Sequence, residues 1–144
     1  MRLAEIARDY WQLRSGEASH LANPDIFWIP PLAERQGLRR GDAAKLIFDI
    51  EGEDEDGGVQ LQGERMWVIV AEQRDGTYVG ILDNAPASIE PADSTYLREG
   101  AEVAFLAEHI IDIDQPPPEY VEWRLSQPPT RRWPPEGDLG SPAA

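Results

Sequence analysis

The sequence predicts an α+β domain built on a small, strongly bent antiparallel β-sheet or SH3-like barrel of five to six strands, with an N-terminal helix. Three observations lead there. Residues 66–71 and 77–82 are apolar runs rich in β-formers, joined through Asp75-Gly76, a pair that supplies the positive φ angles of a type I′ hairpin turn. The string Leu-Arg-x-Gly occurs twice, at residues 38–41 and 97–100, and each copy feeds a β-like segment carrying a Phe, Phe48 and Phe105. Leu3, Ile6, Ala7, Tyr10 and Leu13 recur at helical spacing, and Ser15-Gly16 ends that run.

Taken in order, residues 2–14 form the helix, which covers one face of the sheet. Residues 17–38 form an irregular strap, because Asn23-Pro24 and Pro30-Pro31 forbid regular structure across it. Its large apolar residues, Phe27, Trp28 and Ile29, call for burial, and a short helix fits residues 32–36. The β-rich core runs over 39–126, with strands at 43–50, 103–106, 110–113 and, last, 120–125 (YVEWRL), and an acidic loop at 51–58 (EGEDEDGG). Residues 1–126 thus make one globular domain, and 127–144 a Pro-rich disordered tail of polyproline character.

The central hairpin carries the chain's most specific register. With a two-residue loop Arg74 opposes Thr77, Val70 faces Ile81, Ile69 faces Leu82 and Trp67 faces Asn84. One face then holds Trp67, Ile69, Ala71, Tyr78, Gly80 and Leu82; the other holds Met66, Val68, Val70, Val79 and Ile81. Both faces are apolar, so both need cover. A three-residue loop with a bulge would shift one strand by a residue and exchange its faces.

Composition narrows the function class. Twenty-seven acids against 13 bases give a net charge of −14, a field that repels nucleic acid and anionic lipid and attracts a basic protein or peptide. No apolar run approaches the roughly 20 residues of a membrane span. The first ten residues contain acids and no apolar core of a secretory signal. The absence of Cys rules out disulfides, thiolate metal sites and a Cys nucleophile, and suits a reducing cytoplasm.

The patterns ERMWV, GxYxGxLxNxP, LxxGxxVxF and IxDI, preceded by FWIPPLAERQGLRRGDAAKLIF, resemble an uncharacterised bacterial family, the domain-of-unknown-function group that includes YegJ-like proteins. The resemblance spans roughly residues 27–113. It implies a small, β-rich cytoplasmic domain and, through relatives near the immunity proteins of toxin systems, protein binding. It implies no activity and no catalytic residues. Ala101 departs from the pattern, which often has Asp after the Gly.

Candidate chemistry is thin. An EF-hand reading of the acidic loop, with Gly57 at the sixth position, places Gly52 and Gly63 where the first and last carboxylates belong, so both ends fail. His109 and Asp112 are three apart, hence on opposite faces of a strand, and His20 stands alone in a loop. No Ser sits in a strand–turn–helix elbow. No metal and no cofactor is expected. Trp67 and Tyr78, on one face with Ala71 and Gly80 leaving a dip, make a candidate ligand surface together with Asp83 and Asn84. Glu53, Asp54 and Glu55 are the candidate partner contacts of the acidic loop. Arg131-Arg132-Trp133, between Pro-Pro pairs, fits either a linear docking motif or a segment folded back on the acidic body. The expected function is non-enzymatic binding of a basic protein or peptide, immunity-like in one version. The alternatives are a hydrolase using Asp83, Glu64 and His109 in one cleft, and a small-ligand sensor using the Trp67–Tyr78 face.

Overall fold

The computed structural model describes residues 1–89 and 95–135. Its strands are β1 (Trp11–Leu13), β2 (Ala43–Glu53), β3 (Val59–Arg74), β4 (Thr77–Leu82), β5 (Glu102–Phe105) and β6 (Asp112–Asp114). They form an antiparallel sheet, curled into a half-barrel, in the order β1-β2-β3-β4-β5. β6 shares the outer edge of β2 with β1: β1 pairs with Phe48–Ile50 and β6 with Ala43–Lys45. The helices are α1 (Ile6–Asp9), α2 (Gly16–Ala22), α3 (Leu32–Gln36) and α4 (Pro118–Ser126). The expected α+β class and bent antiparallel sheet are therefore what the chain adopts.

The Asp75-Gly76 turn is as read, with φ of 49° and 85° and Arg74 opposite Thr77. The register further along is not. Val70 pairs with Gly80 and Glu72 with Val79, so Ala71 is an extra residue, a bulge in the middle of β3. Arg40 reaches back and donates to the Ala71 carbonyl at 3.0 Å. Before the bulge Met66, Val68 and Val70 face the core, on the same face as Tyr78 and Leu82 and not on the other one. Because both faces are apolar, nothing in the pattern marked where the phase changes.

The two Leu-Arg-x-Gly strings do the same job in the fold. Leu38 and Leu97 are buried, Gly41 and Gly100 have φ of 98° and 89°, and each glycine amide donates to a neighbouring strand residue, Val70 and Leu82. The chain then turns into β2 and β5.

Three expectations are corrected. The N-terminal helix is not 2–14: α1 ends at Tyr10, in the left-handed region at φ 67°, and Trp11 crosses to pair with Ile50 in β1. Trp11 is 3 % exposed there, so its indole gains the core that a continued helix would deny it. Arg2 holds both carboxylate oxygens of Asp9 at 2.8 Å and braces the turn. Residues 120–125 are not a strand but the body of α4, because Pro116 and Pro117 stop any ladder and Pro118 is pre-set for the first helical turn. In the tail, residues 127–135 are folded onto the body; the rest of 127–144 lies outside the described residues. Thr130 N–H donates to Gly100 O, Glu102 N–H to Arg131 O, and Trp133 is 6 % exposed among Trp11 and Tyr96. Composition signals an inability to make a core of its own, and this segment instead completes one made by others.

The strap also holds more order than its prolines suggest. Ser15 caps α2 by accepting from Ala18 N–H. His20 Nδ1 donates to Phe27 O at 2.6 Å, closing the loop between them. Buried Arg35 donates to Pro30 O, Glu17 and Ala107 O, tying α2, α3 and the 3₁₀ turn at Ala107–His109 together. The anticipated α3 lies at residues 32–36, as read. Trp28, expected to be buried, is 66 % exposed.

Candidate functional site

The sequence candidates do not form one surface. Tyr78 is fully buried, with its hydroxyl donating to Arg35 O at 2.8 Å and accepting from Leu38 N–H at 3.1 Å. Burial pushes that hydroxyl's pKa up. The bulge places Trp67 on the opposite face, so the shared Trp67–Tyr78 dip does not exist. The dip's other wall, Gly80, is filled space: a Cβ there would meet Val68 Cγ1 and lie 2.7 Å from Ile69 O. Asn84 accepts from Trp67 N–H at 2.6 Å, just past Val68–Leu82, the last pair of the β3–β4 ladder. Asp83 accepts from Tyr120 Oη at 2.6 Å and Arg124 Nε at 2.7 Å, and Glu99 takes the other side of the Arg124 guanidinium. That network anchors α4 to the end of β4.

Asp83, Glu64 and His109 are engaged separately. Glu64 accepts from the Ala87 and Ser88 amides and the Ser88 hydroxyl; burial opposes its charge, but these bonds hold its pKa below the usual carboxylate range. His109 is 6 % exposed, and its Nδ1 accepts from Leu106 N–H at 2.9 Å. Desolvation lowers its pKa, against the opposing pull of Glu108 and Glu17. Among the described residues, no group of three or more His, Asp and Glu side chains is placed to hold a metal ion, and no helix is long and apolar enough to cross a membrane.

What the fold does assemble is the outer face of the β2–β3 hairpin. Alternation puts Lys45, Ile47, Asp49, Glu51 and Glu53 of β2 on this face. Their partners across the ladder are Trp67, Arg65, Gly63, Leu61 and Val59. β1 covers the edge of β2 only as far as Ile50, and the β4 ladder leaves β3 at Val68, so the ends of both strands run on as a two-stranded arm. Residues 52–63 are all exposed, Val59 at 68 % and Leu61 at 52 %. Asp54 Oδ1 accepts from the Asp56 and Gly58 amides and shapes the tip. Of the three loop acids singled out from sequence, the Glu53 and Glu55 side chains have no hydrogen bond or ion pair among the described residues, while Asp54 holds its turn.

At the base of the same face lies a shallow cleft of about 210 Å³, walled by Ile26, Phe27, Trp28, Lys45, Arg65 and Asp112. Arg65 lies over the Phe27 ring at 5.5 Å and Lys45 over the Trp67 ring at 5.6 Å. Neither cation has an ion pair or hydrogen bond among the described residues, although Asp112 is the cross-strand partner of Lys45. Sequence reading missed this cleft. The available signal was Lys45, the chain's single lysine, set inside an apolar strand.

A scan against family models found no match to this chain, and searches of curated proteins and of solved structures found none either.

Proposed function

We propose that this chain is a non-enzymatic binding domain for a basic protein or peptide, engaged through the β2–β3 arm. One observation carries the reading: Glu51 and Glu53 stand beside Leu61 and Val59 on one exposed face, an acidic surface with an apolar seam. That combination suits a partner whose Lys and Arg residues flank apolar ones, since charge steers encounter and apolar contact holds the complex. The net charge of −14 favours the same class of partner. The resemblance to YegJ-like proteins suggests an immunity-type role as one form of this activity.

The test is kinetic. A partner captured from the native cell is expected to carry a basic face, and its association is expected to slow as salt rises, because exposed charges are screened over about 8–10 Å. Glu51→Lys, Glu53→Lys and Glu55→Lys together should lower the association rate more than they raise the dissociation rate; Asp54 is left intact because it holds the turn. An acidic or nucleic-acid partner would overturn the reading. So would turnover of a small substrate that survives the triple substitution and disappears in His109→Ala or Asp83→Asn.

A further inference from the structure

The geometry points to a second copy of this chain as the occupant of the Lys45–Arg65 cleft, with the acidic arm of each copy seated on the base of the other. The outer face of β2–β3 has two accessible ends that are complementary, on either side of buried Ile47 and Asp49. At the base are Lys45 and Arg65 with exposed Trp28 and Ile26; at the tip are Glu51 and Glu53 with exposed Leu61 and Val59. Cation meets carboxylate and apolar meets apolar when one such face is laid on another in the reverse direction.

The register makes this self-complementarity closed. Lys45↔Trp67 and Glu53↔Val59 are equally far from the Asp49↔Gly63 pair, and so are Ile47↔Arg65 and Glu51↔Leu61. A two-fold axis through Asp49–Gly63 therefore places both contacts at once, as an isologous interface requires. At that centre Gly63 leaves room for the Arg14 guanidinium, which lies over it, 2.5 Å from Asp49 Oδ1; the pair is neutral, with Arg14 half exposed and Asp49 buried beneath it. Asp112 reduces the positive charge of the base, but one of its oxygens is engaged by Ile113 N–H and Lys45 is not bonded to it. From Lys45 to Glu53 the face is about 26 Å long at roughly 3.3 Å per residue. A patch of that length and two strands' width falls short of the roughly 1,200 Å² of a standard interface, so the association is weak and reversible. The inference does not depend on the basic-partner reading, and a basic partner on the arm would compete with it.

Sedimentation velocity on the full chain tests it, at physiological ionic strength so that the overall repulsion between acidic bodies is screened. The wild-type chain is expected to shift from monomer to dimer as concentration rises into the high micromolar range. Arg65→Glu reverses the charge of the base, and Glu51→Lys reverses the charge of the tip at the position equally far from the two-fold; each alone should weaken dimerisation at least tenfold, with thermal melts confirming that both fold. An equimolar mixture of the two should restore the dimer, since each contact then joins opposite charges. A wild-type chain that stays monomeric, variants that dimerise like the wild type, a mixture that stays monomeric, or assembly beyond the dimer would overturn the inference.

Discussion

The indole Nε1 of Trp133 donates to the carbonyl oxygen of Arg2 at 2.8 Å, joining residues 131 positions apart. The Arg2 guanidinium lies over the same ring at 4.6 Å, and Trp11 and Tyr96 meet it edge-on. Trp133→Ala should therefore cost about 3 kcal/mol or more, the range for removing a buried Trp, and lower the melting temperature by about 10 °C. A melting temperature unchanged within about 2 °C would mean that residues 127–135 are not docked in solution.

Tyr78→Phe removes one oxygen and leaves two buried backbone groups, Arg35 C=O and Leu38 N–H, without that partner. The expected loss is about 1–3 kcal/mol in urea unfolding with an unchanged slope. Faster hydrogen exchange at the Leu38 amide should accompany it. A neutral substitution with a protected amide would refute the bridging role.

Gly80→Ala places a methyl group against Val68 and the Ile69 carbonyl, opposite the bulge. Backbone on one side cannot yield as a side chain can, so a loss of about 1–3 kcal/mol is expected. An unaffected or more stable protein would contradict the close approach of β3 and β4.

His109 gives the fold an acid-side sensitivity. Its pKa is lowered in the folded chain by burial, so the unfolded chain binds the proton first. The stabilisation is complete above the ordinary value of 6.5 and declines as pH falls below it towards the lowered folded value. His109→Asn keeps an acceptor near the Leu106 amide but does not titrate. Denaturation at a series of pH values should show a shallower decline in the variant between pH 6.5 and the onset of carboxylate protonation. Equal slopes in both proteins would remove His109 as the source.

Where local chemistry decides the backbone, the sequence was readable. Asp75-Gly76 demands positive φ, the Leu-Arg-x-Gly strings end in a glycine turn, and residues 32–36 sit between a Pro pair and a Gly. Where tertiary contact decides, it was not. YVEWRL alternates well enough for a strand, yet the three prolines before it set a helix. Trp133 stands in a segment with no apolar neighbours in sequence and finds its neighbours at Trp11, Tyr96 and Arg2. The acids of the arm were legible as exposed charge. Lys45 and Arg65 come together only through the β2–β3 register, and Phe27 and Trp28 join them only because the strap crosses that face.

The extra residue at Ala71 gives β3 a property akin to a reading frame. From Met66 to Val70 the even-numbered residues share the core face; beyond the bulge it is odd-numbered Gln73, itself exposed, that lies opposite core-facing Tyr78. Exchange of the Ala71 side chain leaves this parity untouched. Deletion of the residue removes little matter, yet it sends one whole segment of the strand to the wrong side, either Met66, Val68 and Val70 or the residues that lead into the turn. Position 71 is thus far more tolerant of a change in chemistry than of a change in length.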